Sequence, residues 1–367
     1  MFFMLSLSLS LSGIIFYCMA MKVVIDEKIP FLRDALVTMG CEVLALPGNA
    51  ISRDDVLDAD ALFVRTRTNC NEALLGGTAV RFIGTATIGY DHIDAAFCKK
   101  NGITWSNAAG CNADAVLQYV QAVVYAWAGE YKRSLAGLTL GVVGVGEIGS
   151  RVARWASFEG LRLVLNDPPR EKCGEEGFSS LAEVAEQCDI ITFHPTLSVG
   201  GGCPSHHLAD EAFFASMRKC ALFINASRGP VVDNAALLRA LERNPQLCAV
   251  LDVWENEPDI NLALLNKVYI ATPHIAGYSA EGKINATTIV LGAFARFFGC
   301  EERLPSLSLP APSPDTVSAS SFADAVLQTY SPAEDSQRLK ACPAEFENLR
   351  NNYNLRREVS AYKLLIE

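Results

Sequence analysis

Three short segments in the second half of this 367-residue chain carry side chains that could do chemistry together. Leu222-Phe223-Ile224-Asn225-Ala226-Ser227-Arg228-Gly229-Pro230-Val231-Val232-Asp233 follows an apolar run with a guanidinium, which can grip a carboxylate through two parallel hydrogen bonds. Val250-Leu251-Asp252-Val253-Trp254-Glu255-Asn256-Glu257-Pro258 ends a second apolar run with acids, and Ile270-Ala271-Thr272-Pro273-His274-Ile275-Ala276-Gly277-Tyr278 supplies an imidazole. A free imidazole titrates near pH ~6.5, so it exchanges protons close to neutrality, and a carboxylate beside it would orient the ring and stabilise its protonated form. Each reactive side chain follows a predicted strand, at the end where open α/β sheets bind ligands.

A second feature lies upstream. Leu138-Thr139-Leu140-Gly141-Val142-Val143 reads as a strand that turns through Gly144-Val145-Gly146-Glu147-Ile148-Gly149 into a helix over 150–159. Gly144 permits the tight turn, Gly146 lets backbone approach a pyrophosphate, and Gly149 lets the helix pack on the sheet. Free N–H groups and the helix dipole would then face an anion. The next strand ends at Asp167, about 20 residues on, where a ribose-binding acid is expected. The pattern predicts a dinucleotide site. Asp167 favours NAD because it would repel the 2′-phosphate of NADP, with nearby Arg170 weighing the other way.

These residues need a scaffold of alternating strands and helices. Apolar runs at 23–25, 42–45, 61–64, 81–83 and 103–105 alternate with helical stretches, and a second series falls at 138–143, 161–166, 189–193, 221–225, 248–252 and 268–270. Such alternation predicts an α/β fold of two doubly wound, parallel-sheet, Rossmann-like domains. Between the series, Asn112 is placed to cap a helix over 113–130, whose Val116, Val120, Val123, Val124 and Trp127 recur at helical spacing. Asp233 or Asn234 is placed to cap another helix. After residue 300 four prolines between 304 and 321 predict an extended linker or edge strand, and 321–330 and 343–365 read as helical. The expected division is a substrate-binding lid domain over 21–112, completed by 279–300, an NAD-binding domain over 113–278, and a small C-terminal dimerisation element over 301–367. Residues 1–20 lack a basic start, and Met21 opens a plausible first strand, so 1–20 read as a misassigned start or disordered extension rather than a signal peptide.

Composition narrows the function classes. A formal charge of −10 without a basic stripe argues against nucleic acid. The twelve cysteines form no C-x-x-C pair, and Cys188, Cys220 and Cys248 fall in apolar runs, which fits buried thiols in a reducing compartment and no metal site. The absence of a ~20-residue apolar stretch predicts no membrane span and a cytoplasmic protein.

Residues 21 to about 300 resemble the D-isomer-specific 2-hydroxyacid dehydrogenases. Besides the three reactive segments, the likeness rests on Asp26-Glu27-Lys28-Ile29-Pro30, Gly84-Thr85-Ala86-Thr87-Ile88-Gly89-Tyr90-Asp91-His92, Ala109-Gly110-Cys111-Asn112-Ala113 and Asp167-Pro168-Pro169-Arg170. It continues in the tail through Phe346-Glu347-Asn348-Leu349-Arg350-Asn351-Asn352-Tyr353 and Arg356-Arg357-Glu358. The resemblance implies that Arg228, Glu257 and His274 are catalytic. His274 would take the hydroxyl proton, Glu257 would orient it, and Arg228 would fix the substrate carboxylate and polarise the C2 oxygen. It further implies that Gly144, Gly146, Glu147, Ile148, Gly149, Asp167, Asp252 and Gly277 contact NAD, and that Thr66, Thr87, Tyr278 and the cationic Arg65 contact substrate. The implied substrate is a small phosphorylated 2-hydroxy acid. In the most similar branch it is 4-phospho-D-erythronate, on the route to pyridoxal 5′-phosphate, and the implied assembly is a homodimer. The alternatives are 3-phosphoglycerate or glycerate/hydroxypyruvate as substrate or product, and, in another class, an NAD(H)-sensing binding protein. His92, His194, His206 and His207 read as structural or solvated. His194-Pro195-Thr196 departs from the family's threonine-then-proline order, which leaves Thr196 to replace a cofactor hydrogen bond that Pro195 cannot make.

Overall fold

The computed structural model describes residues 20–217 and 221–367, so Cys220 and the readings made for residues 1–19 lie outside the described residues. The described chain forms two compact units. The first comprises residues up to Thr85, Tyr90–Ser106 and Gly292–Pro305, and the second Ala86–Gly89, Asn107–Leu291 and Ser306–Glu367. This division differs from the expected one: residues 306–367 share a unit with the glycine turn, and only 292–305 of the helix and turn after Tyr278 join the first unit.

The first unit holds a five-stranded parallel sheet of β1 (Lys22–Asp26), β2 (Glu42–Leu46), β3 (Ala61–Val64), β4 (Phe82–Thr85) and β5 (Thr104–Asn107), in the order β2-β1-β3-β4-β5. β3 and β4 are buried along their whole length, which is why they read as unbroken apolar runs. Phe63, Phe82, Phe294 and Phe298 cluster on this sheet with ring centroids 4.8–6.5 Å apart.

The second unit is built on β6 (Thr139–Val143), β7 (Arg162–Asn166), β8 (Ile190–Phe193), β9 (Leu222–Asn225), β10 (Cys248–Leu251) and β11 (Ile270–Ala271), all parallel, in the order β11-β10-β9-β8-β6-β7. The chain leaves β6 outward to β7 and returns to β8 on its other side, so the crevice at the carboxyl ends of β6 and β8 is the ligand position for this topology. Helix Ala113–Glu130 buries Val116, Val120, Val123, Val124 and Trp127 against Leu140, Val142, Ile224 and Val250. Its cap differs from the expectation. Asn112 makes no side-chain cap bond, and its Oδ1 is buried without a hydrogen-bond partner, whereas Asp233 accepts from Ala236 N–H as a cap should.

The C-terminal segment also departs from its expected form. The 343–365 stretch is not one helix: helix Phe346–Asn351 stops before the asparagines at 352 and 354, and Lys363–Ile366 is a strand, β13, parallel to β12 (Thr316–Ala319). Between them lie helices Phe322–Thr329 and Pro332–Ala341. Several apolar residues of this segment are covered by the same chain, whereas Leu365 and Ile366 stay about half exposed. Val326 and Tyr330 join the core that holds Leu140, Ile224 and Val250, while Leu339 and Phe346 join the one that holds Val143, Phe223 and Leu251. Since neighbouring residues on one strand point to opposite faces, the tail covers part of both faces of the second sheet.

Candidate active site

Every functional side chain expected in the second unit follows the carboxyl end of a strand. After β6, Gly144 adopts φ +84°, and a Cβ on it would lie 2.5 Å from Pro195 N and 2.7 Å from the His194 carbonyl carbon. A Cβ on Gly149 would lie 2.0 Å from Gly144 O, so helix Glu147–Phe158 can start this close to β6 only without one. Gly146 is different: a Cβ there would meet nothing within 4 Å. This helix start has no side-chain cap, which leaves its first N–H groups directed outward. Glu147 pairs with Arg151 at 2.8 Å, and Ile148 packs on the core, so what they offer a ligand is their backbone. Open space at Gly146, an uncapped helix start and a close-packed turn beneath fit a dinucleotide pyrophosphate.

Asp167 braces that turn. Its Oδ2 accepts Val145 N–H at 2.7 Å and its Oδ1 accepts Arg170 N–H at 3.1 Å. Arg170 is itself paired with Glu175 and donates to Val145 O at 2.6 Å. Behind the turn, burial pushes His194 down to about 3, so its ring is neutral and bonded to Thr192 at 2.9 Å. Pro195 backs Gly144, and exposed Thr196 accepts a hydrogen bond from Ser205 through its carbonyl.

The reactive groups follow the three adjacent strands β9, β10 and β11. Gly229 brings the loop after β9 against the turn after β10 so closely that a Cβ would sit 1.8 Å from Trp254 O. Arg228, half-buried at the head of that loop, donates to Ser227 O at 2.7 Å. Glu257 Oε1 accepts Trp254 N–H at 2.8 Å, and Glu257 Oε2 lies 2.8 Å from His274 Nδ1. Burial works against a charged Glu257, but the hydrogen bond and charge of His274, with Trp254 N–H and Arg350, hold its carboxyl below the ordinary range. Nε2 of His274 is left as the reactive nitrogen.

His274 sits at φ +58°, a conformation that costs a residue with a Cβ about 1–2 kcal/mol and must be held by its surroundings. Asp252, fully buried after β10, does most of this. Its carboxylate accepts Thr272 Oγ1–H at 2.7 Å, Ile275 N–H at 2.8 Å and Ala276 N–H at 3.0 Å, while its carbonyl accepts His274 N–H at 2.7 Å. Tyr119 Oη reaches Thr272 Oγ1 at 2.8 Å from helix Ala113–Glu130. Burial pushes the Asp252 carboxyl up, against the charge of His274 and those three donors. Asp252, expected beside the nicotinamide, therefore spends its carboxylate on the histidine loop. Gly277, expected there too, abuts Asn112, whose Nδ2 would lie 2.0 Å from a Cβ.

Two arginines of the tail complete the surroundings. Arg356 is buried, with its guanidinium donating to the carbonyls of Ala115, Ile275, Ala276 and Tyr278 and stacked 4.2 Å from the Tyr330 ring. It is a cation held by carbonyl dipoles, and it ties the histidine loop to the tail. Arg350 lies 3.8 Å from Glu257 Oε2 and donates from Nε to Tyr278 Oη at 3.4 Å. Neither was assigned a role from sequence. Nothing in the local sequence marks either as buried: Arg350 lies on the short helix Phe346–Asn351 and Arg356 in the irregular segment after it, and only their tertiary contacts reveal their places.

Of the expected substrate residues, Thr87 and Tyr278 are in this unit, Thr87 Oγ1 donating to Gly89 O at 2.8 Å. Arg65 and the exposed Thr66 are in the first, where Arg65 pairs at 3.0 Å with the fully buried Asp26. The free charge expected of Arg65 is thus matched within its own unit. His92 is buried and bonded to Thr85 at 2.9 Å, and His207 pairs with Glu255 at 2.7 Å, both consistent with structural roles.

Comparison with known proteins settles the family. Residues 112–276 match the family model for the D-isomer specific 2-hydroxyacid dehydrogenase, NAD binding domain. The chain is 48% identical to erythronate-4-phosphate dehydrogenase of Bacteroides thetaiotaomicron over 94% of its length and 99% of the relative's. The chain belongs to the erythronate-4-phosphate dehydrogenase family, within the D-isomer-specific 2-hydroxyacid dehydrogenases. The relative from Escherichia coli O157:H7 is 43% identical, covering 95% of this chain and 94% of that one. Among solved structures, D-lactate dehydrogenase from Aquifex aeolicus, complexed with NAD and lactic acid, superposes with a TM-score of 0.57 at 26% identity, over 77% of this chain and 97% of that one. This dehydrogenase is an NAD-dependent oxidoreductase with two Rossmann-like sheets. Among its described residues no helix is long and apolar enough to cross a membrane.

Proposed function

We propose that this dehydrogenase oxidises 4-phospho-D-erythronate at C2 to the 2-oxo acid, (R)-3-hydroxy-2-oxo-4-phosphooxybutanoate, as a cytoplasmic step of pyridoxal 5′-phosphate synthesis. The observation that carries the chemistry is the Glu257–His274 pair at 2.8 Å beyond the end of the parallel sheet. The substrate assignment rests on the relatives' name. NAD, when bound, supplies the hydride acceptor.

The residues of the chain divide the remaining work. Backbone N–H groups at Gly146, Glu147 and Ile148 would hold the pyrophosphate, and Asp167 would face the ribose. Neutral His274 takes the C2 hydroxyl proton at Nε2, and Glu257 on the other nitrogen stabilises the imidazolium that results. Arg228 binds the substrate carboxylate and polarises the C2 oxygen as it becomes a carbonyl. Thr87 and Tyr278 are the proposed hydroxyl contacts to substrate. In the reductive direction His274 returns the proton.

Incubation of the purified chain with NAD and each of 4-phospho-D-erythronate, D-3-phosphoglycerate and D-glycerate, followed by NADH absorbance, tests the assignment. Phosphoerythronate should have the highest kcat/KM. Equal or better turnover of phosphoglycerate would overturn the substrate, and NADH binding without oxidation of any of the three would favour a sensing role.

The proposal includes a homodimer. Its support is the half-exposed apolar pair Leu365 and Ile366 on β13, in a two-stranded sheet. Sedimentation of the full chain as a monomer would refute it.

A further inference from the structure

The carboxylate of Glu257 is held by two hydrogen bonds and faces one further cation. Oε1 is committed to Trp254 N–H, so Oε2 serves both His274 Nδ1 at 2.8 Å and Arg350 Nη1 at 3.8 Å. Arg350 comes from helix Phe346–Asn351, more than seventy residues after His274 in sequence. Its position is fixed on three sides: Nε donates to Tyr278 Oη at 3.4 Å, Nη1 lies 3.7 Å from Glu347 one helical turn back, and its side chain is about 70% covered, with 29% exposed. Phe346, fully buried, anchors that helix in the core.

We propose that Arg350 is a positioning residue of the active site, which shares the Glu257 carboxylate with His274 and thereby sets how readily the imidazole holds a proton. The inference rests on His274 as the base. An arginine cannot take up the proton itself, because its guanidinium stays charged throughout the working range. It acts as a fixed positive charge close to a site where a second positive charge forms and disappears on every turnover. A neutral imidazole is required to accept the hydroxyl proton. A cation nearby favours that state, whereas Glu257 and the buried Asp252 favour imidazolium.

Other charged and titratable groups are packed around the pair. Lys283 lies over the Tyr278 ring at 4.5 Å, Tyr353 packs on Tyr278 at 6.2 Å and bonds to Asp335, and Arg356 sits under the carbonyls of the histidine loop. Glu347 opposes Arg350 from the same helix. Arg350 is the cation in bonding geometry with Tyr278 and in ion-pair range of Glu257, so its removal is felt first at that carboxylate.

The test compares Arg350→Met, which removes charge at similar length, with Arg350→Lys, which keeps it. His274 ring protonation is followed by ¹H–¹⁵N NMR of the NAD-free protein, assigned with His274→Ala, and the acidic limb of kcat/KM is followed with 4-phospho-D-erythronate. Arg350→Met should move both the ring titration and the acidic limb to higher pH by about half a unit or more, and Arg350→Lys should return most of the shift. If Arg350→Met does not fold, Arg350→Gln carries the same expectation. A neutral variant that loses activity or melting temperature while the ring titration stays in place would overturn the proposal. The ring titration needs no substrate, so it decides the role of Arg350 even if phosphoerythronate is not oxidised.

Discussion

The glycine turn after β6 and the histidine loop after β11 lie in one unit and at the same end of one sheet, yet they are built in opposite ways. The glycine turn is made of backbone. Its fit comes from side chains that are missing at 144, 146 and 149, and its bracing carboxylate, Asp167, is only one strand away. The histidine loop is made of side chains gathered from far apart: Tyr119, Asp252, Glu257 and the tail arginines 350 and 356. A ligand that presents phosphate needs only aligned N–H groups, which a helix start provides locally. A proton-transfer site needs a histidine held in an unfavourable conformation next to a buried acid, and such strain is supported only by tertiary contacts.

Removing the imidazole should separate the two regions most sharply. His274→Ala should lower kcat by ~10²–10⁴-fold, the scale for loss of a general base, while NADH affinity measured by fluorescence changes little. Comparable losses in NADH affinity would show that the loop also builds the cofactor site.

Arg356 is the next largest expected effect. Arg356→Met leaves the carbonyls of Ala115, Ile275, Ala276 and Tyr278 buried without their donor, and a buried acceptor left unsatisfied costs about 1–3 kcal/mol. Because the cost falls on the histidine loop, activity should fall further than NADH binding. A variant with the melting temperature of the parent would mean that the tail does not support the loop. The same contacts predict that a chain ending near residue 304 loses part of the support of its NAD-binding unit. Truncation there would uncover both faces of the second sheet.

Within the glycine turn, two alanines should behave differently. Gly149→Ala puts a Cβ 2.0 Å from Gly144 O and should cost at least ~1–3 kcal/mol of stability, whereas Gly146→Ala meets open space and should melt normally but bind NADH more weakly. Equal melting losses would remove the distinction between a packing glycine and a ligand-facing one.

The same contrast explains what was legible in the sequence. The two parallel sheets, the glycine turn and helix Ala113–Glu130 follow from contiguous patterns of apolar period and turn residues, whereas the Glu257–His274 pairing was legible only through the family resemblance. The cap at Asn112 does not follow, since residue type permits a cap but the close approach of Gly277 takes the side chain instead. Helix 343–365 failed for a similar reason. Its last residues, Lys363–Ile366, pair with Thr316–Ala319 some fifty residues earlier, and that partner is invisible to local periodicity. Arg350 and Arg356 look like surface charges until the chain folds around them. Arg65 was read as free for substrate because nothing in the spacing shows that Asp26, buried at the end of β1, would claim it.

The smallest expected effect is a pH slope, and it reports whether the tail is as tightly seated as the loop requires. Glu358 is buried beside Arg356, its Oε1 accepting Ser279 Oγ–H at 2.7 Å, and burial pushes its carboxyl up to about 7. In the unfolded chain a glutamate releases its proton near pH ~4.3. Between that pH and about 7 the native state holds more protons than the unfolded one, so the Glu358 contribution to stability falls as pH rises. The slope is at most roughly 1.4 kcal/mol per pH unit, or a few degrees in Tm. Glu358→Gln keeps an acceptor for Ser279 but cannot ionise. Its melting temperature relative to the parent should therefore rise steadily from pH 4.5 to pH 7 and then level off. A constant difference across that range would show that Glu358 reaches water, and that the contacts of the neighbouring Arg356 are looser than those of the glycine turn.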